Sequence, residues 1–291
     1  MRNNLHSFSE KIIWKIILSL FALITICAVF IPLLYLLALS LVSGRELAQT
    51  ELFLWPQTVE WSAYKVVLGG GSGIWRSYLI SVFRVLVGTF FSTMVTFLLG
   101  YGLSCPELPG RKLLIVSIVI VAFFNGGIIP NYMVVRNLGL LNNIWAYIFP
   151  KLIMPWCVIM MTQYLKNIPR SVLEAATLDG ASTYRLIFSF VLPLALPAIL
   201  TVGMFYAVEQ WNTWFDTYIY VRSGDLQPIQ MYLRNILASG TNINRMIDAA
   251  GLVGESRPMS RSVQAAAVFA CSIPIAVLYP VLIHFHRKAE K

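Results

Sequence analysis

Polar and apolar sequence meet in residues 174–199, which read EAATLDGASTYRLIFSFVLPLALPAI. The first half has the composition of a helix hairpin that tolerates water. The second half is apolar and is marked by Pro193 and Pro197. This change of character indicates a boundary between a water-facing segment and one that is buried or faces lipid.

The composition places the chain among membrane proteins. Of its 291 residues, 58% are hydrophobic and only 12% are charged, whereas a soluble domain has about 25% charged residues. Its polar surface is too small to cover a water-soluble globule of this length. We therefore predict a membrane protein. The helical spans described next make it all-α, and the lack of a long polar linker indicates a single transmembrane domain over residues 1–291.

Apolar runs predict six transmembrane helices, because ~20 helical residues are needed to cross ~30 Å of hydrocarbon. The predicted spans are 12–42, 77–103, 113–135, 143–165, 193–221 and 263–286. The first run is about twice as long as the apolar part of a signal peptide, so we predict a retained anchor. The distribution of Lys and Arg favours cytoplasmic termini, with segment 167–192 inside and loop 222–262 outside.

The net charge of +9 does not indicate nucleic-acid binding, because the basic residues are scattered along loops without a dense run. Span orientation and contact with anionic lipid account for them better. None of the four cysteines is predicted in an outer loop, and no pair has the spacing of metal ligands. We expect neither a disulfide nor a metal site.

Residues 167–192 are predicted to form two short helices joined at Asp179 and Gly180. Gly180 can end the first helix in the left-handed conformation, and Ser182 or Thr183 can cap the second. The hairpin would lie on the inner membrane surface.

The first helix of this hairpin has features that suit contact with another protein. Ala175 and Ala176 are small enough to permit close approach, and Glu174 offers a charge. The same features are compatible with a plain amphipathic connector that rests on lipid, and the residue pattern alone leaves both interpretations open.

The spacing within the hairpin resembles the signature loop of ATP-binding-cassette importer permeases. That loop has Glu-Ala-Ala, three residues, Gly, nine residues, an aliphatic residue, any residue and Leu-Pro. The matching positions are Glu174, Ala175, Ala176, Gly180, Leu192 and Pro193, and Phe190 stands where the family usually has Ile. The stretches FFNGGIIPNYMVVRNLGLLNNIWAYIFP (123–150) and QWNTWFDTYIYV (210–221) are similar to the carbohydrate branch of this family.

The resemblance implies the type I importer fold and several partners. These are a second permease subunit, two copies of a cytoplasmic ATPase that hold ATP and Mg, and an extracytoplasmic solute-binding protein that delivers an oligosaccharide. Residues 174–193, with Asp179 at the turn, would dock on the ATPase as a coupling element. The chain would lie in the bacterial cytoplasmic membrane and bind no cofactor, since GGGSGIW (69–75) lacks the Lys of a Walker loop.

Polar residues inside the predicted spans are candidates for a sugar path, because such residues are costly in lipid. In the fifth span, Glu209, Asn212 and Asp216 would share one face of a helix. The opposite face would carry Trp211, Trp214, Phe215 and Tyr218. Either face could bind a sugar, or the aromatic residues could form an interfacial belt while the carboxylates pair with basic residues of a neighbouring span. Arg84 and Lys151 could help an anionic sugar through, or they could neutralise Glu209 and Asp216.

In the third span, Asn125-Gly126-Gly127 and Pro130-Asn131 are expected to break the helix near its middle. A broken helix exposes backbone groups to a ligand, although small residues also allow close helix packing. The predicted path residues are therefore Asn125, Asn131, Glu209, Trp211, Asn212, Trp214 and Asp216.

Two other classes of membrane protein compete with the importer interpretation. An ion-driven secondary transporter of sugars would usually show more spans with internal repeat symmetry. A membrane enzyme would need a convergent acid, base or nucleophile, whereas the three histidines lie near the two termini. Copurification with an ATPase would separate the importer from both.

Overall fold

A computed structural model describes residues 2–49, 55–69, 71–124, 126–252, 254 and 257–289. For residues 2–13, 170 and 275–289 it describes the backbone only. Every regular element within these ranges is a helix, which confirms the predicted all-α class. The chain divides into two compact units, one from Met1–Ser72 and Ile236–Ala270 and the other from Gly73–Asn235 and Cys271–Lys291.

The helices follow one another along the chain with short connections. They are α1 (Arg2–Leu41), α2 (Gly44–Gln49), α3 (Ser62–Leu68), α4 (Ile74–Ser104), α5 (Arg111–Phe123), α6 (Ile128–Asn137), α7 (Pro155–Lys166), α8 (Arg170–Leu178), α9 (Thr183–Leu194), α10 (Leu196–Asn212), α11 (Phe215–Tyr220), α12 (Ile229–Ala238), α13 (Gly240–Ala249) and α14 (Ser260–Ala289). Short 3-10 turns occupy Ile144–Tyr147, Phe149–Lys151 and Gly224–Leu226.

The first unit is built around the end of α1. Leu39, Val42 and Leu47 form an apolar cluster with Ala265, and the hydroxyls of Ser40 and Tyr64 lie 3.0 Å apart. Before this cluster, large apolar side chains of α1 are exposed on every side of the helix. A helix that is apolar all round and unburied suits lipid as its solvent.

In the second unit, α4 packs against α7 and α10, and its polarity is inverted relative to a helix of a soluble protein. Its buried face carries small and polar residues, namely Ser77, Ser81, Arg84, Gly88, Ser92, Thr96 and Gly100. Its outer face carries large apolar residues, among them Leu79, Leu86 and Phe90. Since hydrocarbon needs no polar covering, this arrangement fits a helix surrounded by lipid on its outer side.

Two helical stretches among the described residues are individually long and apolar enough to cross a membrane, Trp14–Leu41 and Ile74–Ser104. Three further pairs of helices qualify if each bent pair counts as one span. The pair formed by Ile144–Lys151 and α7 is bent by 52°, and α9 and α10 meet at 77°. The predicted sixth span falls in α14, whose side chains are described only as far as residue 274. The number of six spans therefore stays a prediction.

Candidate functional site

The first helix of the hairpin ends as the sequence predicts. α8 starts directly after Pro169 and ends at Leu178, and Gly180, two residues further on, has a φ of +81°. The Ala181 amide donates to the Ala176 carbonyl and the Gly180 amide to the Thr177 carbonyl, both at 3.0 Å. These two bonds form a Schellman motif, which satisfies carbonyls that a helix end leaves free.

The second helix has the predicted serine cap. Ser182 Oγ accepts a hydrogen bond from the Arg185 amide at 3.4 Å. α9 continues through a π-helical stretch, Leu186–Val191, and contains the Leu192-Pro193 pair of the signature. Caps at both sides of the turn thus define the hairpin, and the predicted pair of helices is present.

The exposed tip of the hairpin carries most, but not all, of the residues expected there. Glu174, Ala175 and Asp179 are exposed, whereas Ala176 is only 4% exposed. Ala176 lies three residues after Leu173, which packs on the core of the unit, so both share the inward face of α8. The expectation that Ala176 permits close approach by another protein is therefore wrong for the described chain.

Two large apolar side chains at the tip were not singled out from the sequence. Leu178 is 88% exposed and Tyr184 is 79% exposed. The sequence could have indicated their exposure, because large apolar residues beside a short capped turn have little to pack against. Together with Glu174 and Asp179, they give the tip the mixed character of a protein contact surface.

A cavity of about 780 Å³ opens beside the hairpin, between α8 and the ends of α4 and α7. Its charged lining consists of Glu174, Glu107, Arg111 and Lys166. Arg111 Nε donates to the Leu103 carbonyl at 2.8 Å and so secures the turn that follows α4. The charged lining indicates that this end of the unit faces water.

The third predicted span is broken, as expected. α5 ends at Phe123 and α6 begins at Ile128, after Gly127 with a φ of +86°. Pro130 and Asn131 do not cause the break, because they lie in the first turn of α6, where a missing amide hydrogen is tolerated. Asn125 lies outside the described residues.

The predicted fifth span is not one continuous helix. α10 ends at Asn212, Thr213 has an extended backbone with a ψ of 126°, and α11 begins at Phe215. Asp216 therefore does not continue the stripe of Glu209 and Asn212, and the expectation of one polar face through all three is wrong. Thr213 Oγ1 donates to the Glu209 carbonyl at 2.8 Å, which satisfies a backbone group at the end of α10.

Arg84 holds this interruption together from α4. Its side chain is fully buried, and its Nε donates to Gln210 Oε1 at 2.6 Å. Nη1 donates to the Thr213 carbonyl and to Asp216 Oδ1, both at 3.2 Å, and Nη2 pairs with Asp216 Oδ2. The guanidinium also lies 4.8 Å from the centre of the Tyr147 ring. One side chain thus joins α10, the break and α11.

Glu209 pairs with Lys151, close to the same interruption. Lys151 Nζ lies 2.7 Å from Glu209 Oε1 and donates to Thr213 Oγ1 at 2.9 Å. These side chains are accessible, at 29% exposed for Lys151 and 42% for Glu209. Of the roles considered for Arg84 and Lys151, the structure shows neutralisation of the two carboxylates.

A second cavity, of about 520 Å³, opens between α6 and α11. Its polar lining includes Asn131, Lys151, Thr213 and Asp216, and most of its remaining wall is apolar or aromatic. The structure thus brings together two of the predicted path residues, Asn131 and Asp216. A few polar groups in an apolar wall are typical of small-ligand sites.

Those of the other predicted path residues that the structure describes do not line this cavity. Trp211 is only 4% exposed and lies inside the unit. Asn212 is exposed at the end of α10, and Trp214 contacts Arg234 of α12. The polar and aromatic residues of the fifth predicted span therefore serve different surfaces.

Sequence reasoning missed that α4 supports several chain breaks. Thr96 Oγ1 lies 2.7 Å from the Tyr206 hydroxyl, which accepts from the Met154 amide at 2.8 Å just before α7. Ser81 Oγ accepts from the Ile229 amide at 2.7 Å, at the start of α12. The available signal was the recurrence of small or polar residues about every fourth position along α4, which puts them on one face.

Comparison with known proteins identifies a matching family and several similar proteins. The profile of the family described as "Binding-protein-dependent transport system inner membrane component" matches residues 112–215. The chain is 34% identical to the polygalacturonan/rhamnogalacturonan transport system permease protein YtcP of Bacillus subtilis (strain 168), over 94% of this chain and 93% of that protein. It is 25% identical to the arabinooligosaccharides transport system permease protein AraQ of the same organism, over 82% and 86% of the two chains. A crystal structure of a bacterial ABC transporter involved in the import of the acidic polysaccharide alginate matches with a TM-score of 0.87 and 29% identity, over 95% of this chain and 97% of that chain.

Proposed function

Because this chain belongs to the family of binding-protein-dependent transport system inner membrane components, we propose that it is a permease subunit of an ATP-driven importer of oligosaccharides. It forms half of the translocation path, and a second permease subunit forms the other half. The observation that carries this proposal is the exposed, capped hairpin with Glu174, Ala175 and Asp179 at its water-facing tip. The transported saccharides in the names of the relatives support the substrate class.

The hairpin couples the permease to a cytoplasmic ATPase dimer, which binds ATP and Mg and hydrolyses the nucleotide. Exposed Leu178 and Tyr184 supply apolar contact area, and Glu174 supplies a charge. Leu173 and Ala176 anchor α8 to the core of the unit, so a displacement of the tip is passed on to the helices behind it. Closure of the ATPase thereby changes the permease between outward-open and inward-open states.

The cavity lined by Asn131, Lys151 and Asp216 belongs to the translocation path. Its charged and amide groups can hydrogen-bond to sugar hydroxyls, and its apolar wall can contact the ring faces. Because the Lys151–Glu209 pair is accessible, sugar hydroxyls can replace the hydrogen bonds between its two side chains. Neither charge is then left buried without a partner.

The chain lies in the bacterial cytoplasmic membrane with both termini in the cytoplasm. An extracytoplasmic solute-binding protein delivers the oligosaccharide to the outer side, where residues 222–262 form the longest outer loop. This orientation puts the hairpin on the ATPase side and follows from the distribution of Lys and Arg.

The proposal is tested by charge reversal at the hairpin tip. In the complete complex reconstituted with its binding protein, Glu174→Arg is expected to lower saccharide-stimulated ATPase activity about tenfold or more, because a contact residue at the coupling interface is replaced by the opposite charge. The variant is expected to fold, because Glu174 is exposed. Stimulated ATPase activity and copurification of the ATPase are the measurements.

Glu107→Arg is the matched control, since Glu107 is an exposed carboxylate that lines the same cavity as Glu174 but lies in the turn after α4, outside the hairpin. Its stimulated activity is expected to stay near that of the wild type. Ala176→Leu is unsuitable as a test, because Ala176 is buried and a larger side chain would strain the core. Full stimulation in the Glu174→Arg complex would contradict the coupling role.

A further inference from the structure

Arg234 of α12 rests against two aromatic rings beside the helix interruption. Its Cζ lies 4.8 Å from the centre of the Trp214 ring and 4.7 Å from the centre of the Tyr218 ring. The two rings are 6.4 Å apart with an interplanar angle of 67°. They therefore form a corner that fixes the position of the guanidinium.

Within the described part of the chain, the Arg234 guanidinium has no ion pair and no hydrogen bond. The two ring contacts hold the guanidinium in place. Its five N–H donors have no acceptor among the described residues and are available to a ligand. An acceptor with two oxygens in one plane, such as a carboxylate, fits these donors best.

The local charge balance also favours an anionic ligand. Arg84 and Lys151 are each paired with a carboxylate of the fifth predicted span. Arg234 contacts the same segment of chain and has no such partner among the described residues. It therefore contributes a positive charge that an incoming ligand can balance.

An aromatic surface lies next to this charge. Tyr218 is 58% exposed and Phe215 is 43% exposed, and the Phe215 ring lies edge-on to Trp214 with 5.6 Å between centroids. Exposed aromatic faces can stack on the C–H face of a pyranose ring. In a uronic acid, that face and a carboxylate belong to the same sugar residue.

We propose that Arg234, Tyr218 and Phe215 bind a uronic acid residue of the transported oligosaccharide. Arg234 takes the carboxylate through two parallel N–H bonds, and the aromatic rings stack on the sugar. The inference rests on the proposed function and narrows the substrate class to acidic oligosaccharides. Neutral sugars bind more weakly, because they offer the guanidinium no charge.

The test measures binding of two matched probes to the complete complex in lipid nanodiscs. The acidic probe is a short oligogalacturonate, and the neutral probe is the same oligosaccharide with its carboxylates reduced to alcohols. Wild-type complex is expected to prefer the acidic probe, and Arg234→Gln is expected to weaken its binding about tenfold or more. The affinity of Arg234→Lys for the acidic probe is expected to lie between those of the wild type and Arg234→Gln, because lysine keeps the charge and lacks the planar fork.

Arg222→Gln is the control, since Arg222 is exposed and its loss changes the net charge equally. Its affinity for the acidic probe is expected to match the wild type. Equal binding of the two probes to wild type, unchanged binding in Arg234→Gln, or an equal loss in Arg222→Gln would overturn the inference. So would an Arg234→Gln complex that loses affinity for the binding protein with and without sugar, since that result assigns Arg234 to protein docking.

ATP-driven uptake into proteoliposomes distinguishes failure of the uronic acid site from failure of the proposed function. Uptake of oligosaccharides with unchanged acid preference in Arg234→Gln would reject the uronic acid site alone. Absence of uptake of any saccharide by the wild-type complex would reject the proposed function itself.

Discussion

Two ion pairs meet at the interruption between α10 and α11 and differ strongly in burial. The side chains of Arg84 and Asp216 are 0% and 5% exposed, whereas those of Lys151 and Glu209 are 29% and 42% exposed. A buried charge that loses its partner stays unsolvated, while an exposed one is taken over by water. The two pairs should therefore respond differently to the loss of their basic residue.

Arg84→Met is expected to destabilise the protein by ~3–5 kcal/mol, because Asp216 is left buried without its partner. The double variant Arg84→Met with Asp216→Leu should recover a large part of this loss, since no buried charge remains. Lys151→Met is the matched control and should change the free energy of unfolding by less than ~1 kcal/mol. Unfolding of the purified complex in detergent measures all three, and a double variant no more stable than Arg84→Met would contradict the argument.

At the residue scale, the sequence identified the members of these pairs but not the pairing. Glu209 and Asp216 were expected on one helical face, where either could meet Arg84 or Lys151. The interruption at Thr213 separates them, and Arg84 binds both the Thr213 carbonyl and Asp216. The pairing of Arg84 with Asp216 is a contact between residues far apart in the chain, and the periodicity of a helix does not predict such contacts.

At the scale of elements, the hairpin was predictable and the interruption of the fifth span was not. Each bond that shapes the hairpin turn joins residues at most five positions apart, so the local sequence contains both partners. The end of α10 depends instead on Arg84, which lies 129 residues before Thr213. Gly126 and Gly127 indicated the break in the third span, whereas Thr213 and Trp214 are residue types that do not indicate a helix break.

Gly180 is a position of the hairpin where substitution acts through the backbone. Its φ of +81° is unfavourable for side chains with a Cβ, although a Cβ there would meet no atom within 4 Å. Gly180→Ala is therefore expected to cost ~1–2 kcal/mol from backbone strain alone. Gly180→Asn should cost less, because Asn tolerates this conformation better.

Amide hydrogen exchange of the hairpin measures this local stability. Faster exchange of the Gly180 and Ala181 amides in Gly180→Ala than in Gly180→Asn is the expected order. Equal exchange in both variants would show that the left-handed conformation does not limit the hairpin.

At the scale of the whole molecule, composition predicted the membrane class because apolar excess is a property of the entire chain. Bends within the spans do not alter that excess, so composition carries no information on them. In α4, for example, the small and polar residues of the buried face lower the apolar content of the helix while they improve its packing.

The predicted orientation can be tested with cysteines introduced one at a time into a Cys105→Ala background. Gly224→Cys lies in the predicted outer loop and Thr177→Cys in the hairpin, and both positions are exposed. A maleimide that does not cross membranes is expected to label Gly224→Cys in intact cells, and Thr177→Cys only after permeabilisation. The background variant measures labelling of the remaining cysteines, and the reverse pattern would contradict the cytoplasmic hairpin.

The burial of Arg84 also has a consequence for biosynthesis. The ribosome completes α4 long before it reaches Asp216, which lies 132 residues further along. During that interval the translocation machinery handles a segment with an arginine that has no carboxylate partner, at a cost of ~2.5–3.5 kcal/mol near the centre of a helix. The apolar outer surface of α4 offsets this penalty. Its leucines and phenylalanines therefore favour membrane insertion of the nascent chain before Asp216 is available to Arg84.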